Sequence, residues 1–355
     1  MAQSSVYFAY PGDLNTLTGG YHYDRRLIEG LREQGMRIEL LSLPAVAPSP
    51  EPEALDRIDE MVAALPDGAL LLVDGLALGV LDKLAQREAK RLRLVALCHH
   101  PLGLEAGLTA DLEAQLIASE TAALACCRGV IVTSGHTKRI LMAQFALPAE
   151  KICVALPGTE AVSFAPCNGE PPLLLCIASL IPRKGHDVLI RALASLADLS
   201  WQARLVGGDE FAPQWAAGLR AQVEAAGLEQ RISFAGAVSD VLPEYQRADV
   251  FVLPSRFEGY GMVFAEALAA GLPVVAGRAG AVPDVLQDGD STAGILVDPE
   301  DSAALAEALR ELLSDSAIRQ HYQLAARRAA ERLPAWSDTA ALVATELDRL
   351  VRDAD

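Results

Sequence analysis

Positive charge is scarce in this chain. Its 30 lysines and arginines stand against 47 aspartates and glutamates, a formal net charge of −17 over 355 residues. Broad nucleic-acid binding needs the opposite balance and is excluded. Cysteine is thin as well: there are 6, none in Cys-x-x-Cys spacing, and Cys126-Cys127 is merely an adjacent pair. Neither a zinc-ligand set nor a disulfide framework is indicated, and reduced thiols in a cytoplasmic protein are the expectation. Long apolar runs are missing too; residues 70–73 and 171–181 are far too short to span a bilayer. Met1-Ala2-Gln3-Ser4-Ser5-Val6 carries no basic stretch ahead of an apolar one, so no signal peptide is expected. The first predicted strand is not followed by Gly-x-Gly-x-x-Gly, which excludes an NAD-dependent oxidoreductase of the dinucleotide-binding kind.

What is present is a regular alternation. Half the residues are hydrophobic (51%), with aromatics at only 5%, a composition suited to an Ala/Leu-rich α/β protein of two domains. Strands are predicted at 6–9, 37–43, 69–73, 92–98, 129–133 and 151–155, with helices at 23–34, 52–64, 110–126 and 136–145. A polar, proline-rich stretch at 166–172 reads as an interdomain linker. Strands resume at 173–178, 203–206, 232–235, 250–253, 274–276 and 294–297, with helices at 186–196 and 212–226 among them. Strands alternating with helices predict parallel sheets covered on both faces. The expected division is 1–165, a linker at 166–172, a second domain at 173–333, and a last helix within 334–355.

One segment carries most of the chemistry: Ser255-Arg256-Phe257-Glu258-Gly259-Tyr260-Gly261-Met262-Val263-Phe264-Ala265-Glu266. It joins a predicted strand to a predicted helix through two glycines, which let a ligand approach the backbone. The amides of Tyr260, Gly261, Met262 and Val263 then fall in a first helical turn, where unpaired N–H groups and the macrodipole favour an anion. Glu258 sits at the loop mouth. Glu266 lies about one turn in and leans back toward those amides, placed to accept from both hydroxyls of a diol. Amides for phosphate beside a carboxylate for ribose describe a nucleotide site; the bland alternative is a joint with two solvated glutamates.

Other loops at the carboxyl ends of predicted strands add candidates. Arg183 and Lys184, in Ser179-Leu180-Ile181-Pro182-Arg183-Lys184-Gly185, can neutralise a diphosphate in place of a divalent metal. Gly19 and Gly20 stand where the backbone can come close to a ligand. In Leu97-Cys98-His99-His100 the two histidines cannot share a face of an extended segment; His99 is the candidate, His100 the reserve. Ser134 and Thr137 read mainly as a helix cap. Asp288-Gly289-Asp290 has the look of a metal motif, but turn chemistry accounts for it. Arg87-Glu88-Ala89-Lys90-Arg91-Leu92-Arg93 is the one basic stretch that a membrane surface could use, and a solvated face is the simpler reading.

Taken together, the Glu258–Glu266 segment strongly resembles the signature of retaining GT-B glycosyltransferases, in particular glycosyltransferase family 4, and the resemblance extends over nearly the whole chain. It implies two Rossmann-like domains facing across a cleft, with the last helix crossing back to the first domain and Trp336 near that crossing. Glu258 would approach the donor sugar and Glu266 the nucleotide ribose. Arg183 and Lys184 would match the basic diphosphate motif, although Ala178-Ser179 stands where many relatives have Gly-Arg. Gly19 and Gly20 would match the glycine loop near donor phosphate and acceptor, and His99 would meet a donor-sugar hydroxyl. The implied reaction moves a hexosyl unit from a UDP-sugar or GDP-mannose to an acceptor hydroxyl on a small molecule, glycan or lipid-linked acceptor, without metal or cofactor. A GT-B phosphorylase, a sugar-nucleotide epimerase and a non-catalytic nucleotide-sugar binding protein remain as alternatives.

Overall fold

In the structure, a computed structural model describing residues 5–105, 107–289 and 291–352, the chain forms two compact units. One is Met1–Gly158 with Pro334–Asp355, the other Thr159–Leu333. The first holds β1 (Val6–Pro11), β2 (Ile38–Leu43), β3 (Leu70–Asp74), β4 (Arg93–Cys98), β5 (Gly129–Val132) and β6 (Ile152–Val154). They make one parallel sheet in the order β2-β1-β3-β4-β5-β6. The second holds β7 (Leu173–Ile177), β8 (Gln202–Val206), β9 (Ile232–Gly236), β10 (Val250–Leu253) and β11 (Val274–Gly277). A two-residue antiparallel pair follows, β12 (Gln287–Asp288) with β13 (Ser291–Thr292), and then β14 (Gly294–Val297). This sheet is also parallel, in the order β14-β11-β10-β7-β8-β9.

The strands form where apolar runs are bounded by turn residues, and helices cover both faces, so their side chains are buried on either side. All five residues of β3 are buried, as are all four of β10. Phe251 of β10 meets Phe264 edge to face at 5.6 Å, both fully buried, which seats the Met262–Ala269 helix on the sheet. Each strand of the two sheets lies within two residues of its predicted bounds.

The helices show more departures. The first begins at Gly19, not at residue 23, because Thr18 Oγ1 accepts from the Tyr21 amide at 3.3 Å and starts it early. Gly19 and Gly20 are therefore helical residues and not a loop. Two short helices, Gly75–Leu78 and Asp82–Glu88, are additional. Residues 166–172, expected as a linker, are fastened to the second unit: Asp249 accepts from the Gly169 and Leu173 amides at 2.8 and 2.7 Å.

The last helix, Trp336–Arg352, belongs to the first unit. Trp336 is buried against His22 and Tyr23, with ring centroids at 5.9 and 5.6 Å, and Thr339 Oγ1 donates to the Leu156 carbonyl at 2.8 Å. Three glycines let it come close. A Cβ at Gly158 would lie 2.3 Å from the Trp336 nitrogen, one at Gly30 2.5 Å from Ala340 Cβ, and one at Gly129 2.6 Å from Leu350 Cδ1.

Candidate functional site

In an open parallel sheet, the crevice for a ligand lies beyond the carboxyl ends of the strands where their order reverses. In the second sheet that place is between β7 and β10, and the two candidate segments follow those two strands. After β7 the chain makes a 3₁₀ turn at Pro182–Lys184, then Gly185 at φ +70°. Only glycine fits there, since a Cβ would lie 2.1 Å from the Pro254 carbonyl oxygen. The Arg256 amide donates to the Arg183 carbonyl at 2.8 Å, and its guanidinium grips Asp187 at 2.9 and 3.0 Å, so the two loops are locked together.

The lock brings Arg183, Lys184 and Glu258 to one point. Lys184 Nζ donates to Glu258 Oε1 at 2.7 Å, Ser255 Oγ donates to the same oxygen at 2.6 Å, and Arg183 Nη1 lies 3.8 Å from Oε2. Arg183 also donates to the Phe257 carbonyl at 3.1 Å. Burial alone would raise the Glu258 carboxyl; Lys184, Arg183 and the bonds from Lys184 and Ser255 together hold it below the usual carboxylate range. Burial pulls Lys184 down, with Glu258 opposing. The Glu258 carbonyl accepts from the Ala281 amide at 2.9 Å, which fixes its backbone.

Gly259 and the buried Tyr260 lead to Gly261 at φ +94°, the cap of the Met262–Ala269 helix. The first internal bond runs from the Phe264 amide to the Gly261 carbonyl, and among the described residues nothing bonds the Met262 and Val263 amides. Glu266 is half-buried one turn in, its Oε2 accepting from Tyr245 Oη at 2.7 Å. Burial raises its carboxyl and the tyrosine bond opposes. The phosphate-type and diol-type groups thus share one end of one helix.

The first unit gathers a separate set at the carboxyl ends of β1, β3 and β4. A Cβ on Gly20 would touch the His99 ring at 3.4 Å. His99 Nε2 lies 2.9 Å from Asp24 Oδ1 and 3.6 Å from Asp74 Oδ2. His100 turns elsewhere, its Nε2 3.2 Å from the Leu104 carbonyl, as alternation requires. Burial would lower His99, but Asp24 and then Asp74 raise it to about 10. Burial pushes Asp24 up to about 7, with His99 opposing and Asp74 adding. The three ligating atoms lie within 4.8 Å of one another, and a direct 2.9 Å contact makes them an ion-paired cluster.

The chain is similar to known proteins. Residues 171–315 match the family described as Glycosyl transferases group 1. The second unit is a group 1 glycosyltransferase domain. A GDP-mannose-dependent alpha-(1-6)-phosphatidylinositol monomannoside mannosyltransferase of Mycobacterium tuberculosis is 34% identical over 209 residues, 52% of each chain. The match thus spans about half the length of that relative. The whole chain has the GT-B fold: it superposes on sucrose-phosphate synthase of Thermosynechococcus elongatus with a TM-score of 0.81 at 23% identity, covering 98% of this chain and 100% of that one. Anabaena HepE in complex with UDP-glucose gives 0.77 at 20% identity, covering 97% and 99%.

In the second unit, Ser255 and Tyr245 join the candidate residues without having been anticipated; in the first unit, Asp24 and Asp74 separately join His99. Ser255 stands three residues before Glu258, and Asp24 one helical turn after Gly20, so both carried a local signal. Tyr245 did not, being 21 residues from Glu266. Ser134 is a cap, accepting from the Thr137 amide at 2.9 Å. Asp288 is held by Arg328 and Arg332 at 2.9 and 3.0 Å, and Asp290 lies outside the described residues. In the basic stretch, Arg87 pairs with Asp59 and Arg91 with Glu88, both at 2.7 Å, so much of its charge is already matched. Among the described residues no helix is long and apolar enough to cross a membrane.

Proposed function

We propose that this chain transfers a hexosyl unit from a nucleotide diphosphate sugar to an acceptor hydroxyl with retention of anomeric configuration. The meeting of Arg183, Lys184 and Glu258 beside the start of the Met262–Ala269 helix carries this reading. An ammonium has three donors, so Lys184 keeps two for phosphate oxygens while bonded to Glu258, and Arg183 keeps most of its five. Departure of the nucleoside diphosphate builds negative charge that these cations and the Met262 and Val263 amides meet more strongly in the transition state than before it. Glu258, ionised beside them, orients the sugar and tempers positive charge at the anomeric carbon. Glu266 takes the ribose diol through the oxygen that Tyr245 leaves open. The leaving phosphate accepts the nucleophile's proton, so neither a protein nucleophile nor a metal is needed.

The relatives differ in donor. The mycobacterial mannosyltransferase is described as GDP-mannose-dependent and acting on a lipid, and HepE was captured with UDP-glucose. The donor here is accordingly read as a UDP-sugar or GDP-mannose, and the acceptor as a small molecule, glycan or lipid-linked hydroxyl on the cytoplasmic side. A thermal-shift panel of UDP, GDP, ADP and their sugars identifies the donor, since a ligand of the native state raises Tm. Proton NMR of the product made with that donor in EDTA then reads the anomeric configuration. Inversion, or activity that EDTA abolishes and magnesium restores, would sink this reading.

A further inference from the structure

His99 is set against two carboxylates that water barely reaches. Asp24 is fully buried and Asp74 is 1% exposed. Among the described residues no lysine or arginine bonds either one; the remaining contact is the Leu76 amide, which donates to Asp74 Oδ1 at 2.8 Å. Buried carboxylates without a counter-charge are costly; the imidazole offsets one negative charge, and burial with Asp74 pushes the Asp24 carboxyl up to about 7. Asp24 Oδ2 is itself buried without a hydrogen-bond partner, and besides His99 the neighbour that acts on the Asp24 carboxyl is Asp74, which raises it.

The ring is also fixed in orientation. The Tyr23 ring meets it edge-on at 5.2 Å and Gly20 closes on its Cδ2 edge. Asp24 is held within the Gly19–Glu33 helix, one turn along from Gly20, and Asp74 is held as the cap of the Gly75–Leu78 helix. Nδ1 has no partner among the described residues, and the His99 side chain is 22% exposed. A protonated imidazole donates from both nitrogens; with Nε2–H given to Asp24, Nδ1–H is the donor left over.

The geometry points to Asp24 and Asp74 as positioning residues for His99: they take its Nε2 and leave a charged Nδ1–H donor for a hydroxyl or phosphate oxygen of the ligand. This rests on the reading of His99 as a ligand-contacting residue. The other titratable groups around the ring do not compete. Burial, with Asp74 and Asp24 adding, pushes the Tyr21 phenol up to about 12; burial also raises Tyr23 and Cys98 far above their ordinary values. Both phenols are moreover tied to carbonyls, Tyr21 to Pro11 and Tyr23 to Ala155.

The test is the titration of the His99 ring in the full chain, followed by NMR with labelled histidine and assigned with His99→Gln. The wild-type midpoint should lie at higher pH than that of an ordinary histidine, at a proton concentration at least a hundredfold lower; a midpoint at or below the ordinary pH overturns the inference even if every variant misfolds. Asp24→Asn should lower the midpoint at least tenfold, Asp74→Asn less because its contact is longer, and Asp24→Glu should restore part of the loss. The alkaline limb of the turnover profile should move to lower pH in Asp24→Asn, with kcat falling more than donor KM rises. An unchanged midpoint in Asp24→Asn refutes the assignment. So does a shift of the His99 signals on adding zinc or manganese that Asp24→Asn abolishes, because the carboxylates would then be metal ligands. If instead His99→Gln leaves turnover intact, it is the ligand contact that fails, while the ring titration still reports on the pairing.

Discussion

Two glutamates eight residues apart have different partners: Glu258 bonds Lys184 and Ser255, whereas Glu266 bonds a phenol and is the residue proposed to take a ribose. Replacing it with alanine should cost nucleoside diphosphate binding about 1.5–3 kcal/mol, tenfold or more, as for the loss of a charged hydrogen-bonding group. Tyr245→Phe removes the hydroxyl that orients Glu266 and should cost about 1 kcal/mol in the same measurement. Calorimetry showing equal affinity in wild type and Glu266→Ala would remove Glu266 from the nucleotide site. His99 carries a pH signature. Its folded-state value, raised to about 10, exceeds the ordinary value of about 6.5, so the stability it adds is full below the lower figure and lost as pH rises through the higher one. Unfolding free energy measured between pH 6 and 10 should fall with a slope that His99→Gln flattens. Glu258, Glu266, Arg183 and Lys184 could be singled out as candidates from the sequence because each sits within a few residues of a strand end or a helix start. Asp24 and Tyr245 were not picked out, since their roles come from packing between elements that the chain separates.

At the level of elements, the strands were readable because buried parallel strands are short apolar runs closed by glycine, proline or a polar residue. The Gly75–Leu78 helix was hidden because four apolar residues show no period that separates helix from strand. The early start at Gly19 was masked by glycine's poor helix propensity, which the Thr18 cap and the approach to His99 override. Glycines also separate two kinds of position. At Gly158 a Cβ would collide with the Trp336 backbone, so Gly158→Ala should destabilise the first unit by about 1–3 kcal/mol in denaturant melts. At Gly218, inside the Pro213–Ala225 helix, a Cβ would meet nothing within 4 Å. Gly218→Ala should therefore stabilise the second unit by about 0.5–1 kcal/mol. Equal effects at both positions would contradict the close docking of the last helix.

For the molecule as a whole, the second unit is one continuous piece of chain while the first is assembled from two. The Trp336–Arg352 helix buries Trp336, Ala340, Val343, Leu347 and Leu350 in the first unit. At about 1.5–3 kcal/mol for each large side chain, that burial rivals the roughly 5–15 kcal/mol that keeps a domain folded. A chain cut after Leu333 should lose hydrogen-exchange protection throughout Val6–Val154, while Leu173–Val297 keeps its protection. Full protection of the first sheet in that truncation would show that the last helix is dispensable.

That split assembly sets an order for biosynthesis. The first sheet emerges early, yet the helix that covers Gly30, Gly129 and Gly158 is made only after all of Thr159–Leu333. At about 5–20 residues per second the delay is on the order of ten to thirty seconds. Throughout that wait an apolar surface on the nascent chain stands uncovered, and it is still uncovered when the last residue of the second unit has been added. Chaperone capture during translation should therefore fall on the early half of this chain, and slowing the ribosome within the second half should prolong it.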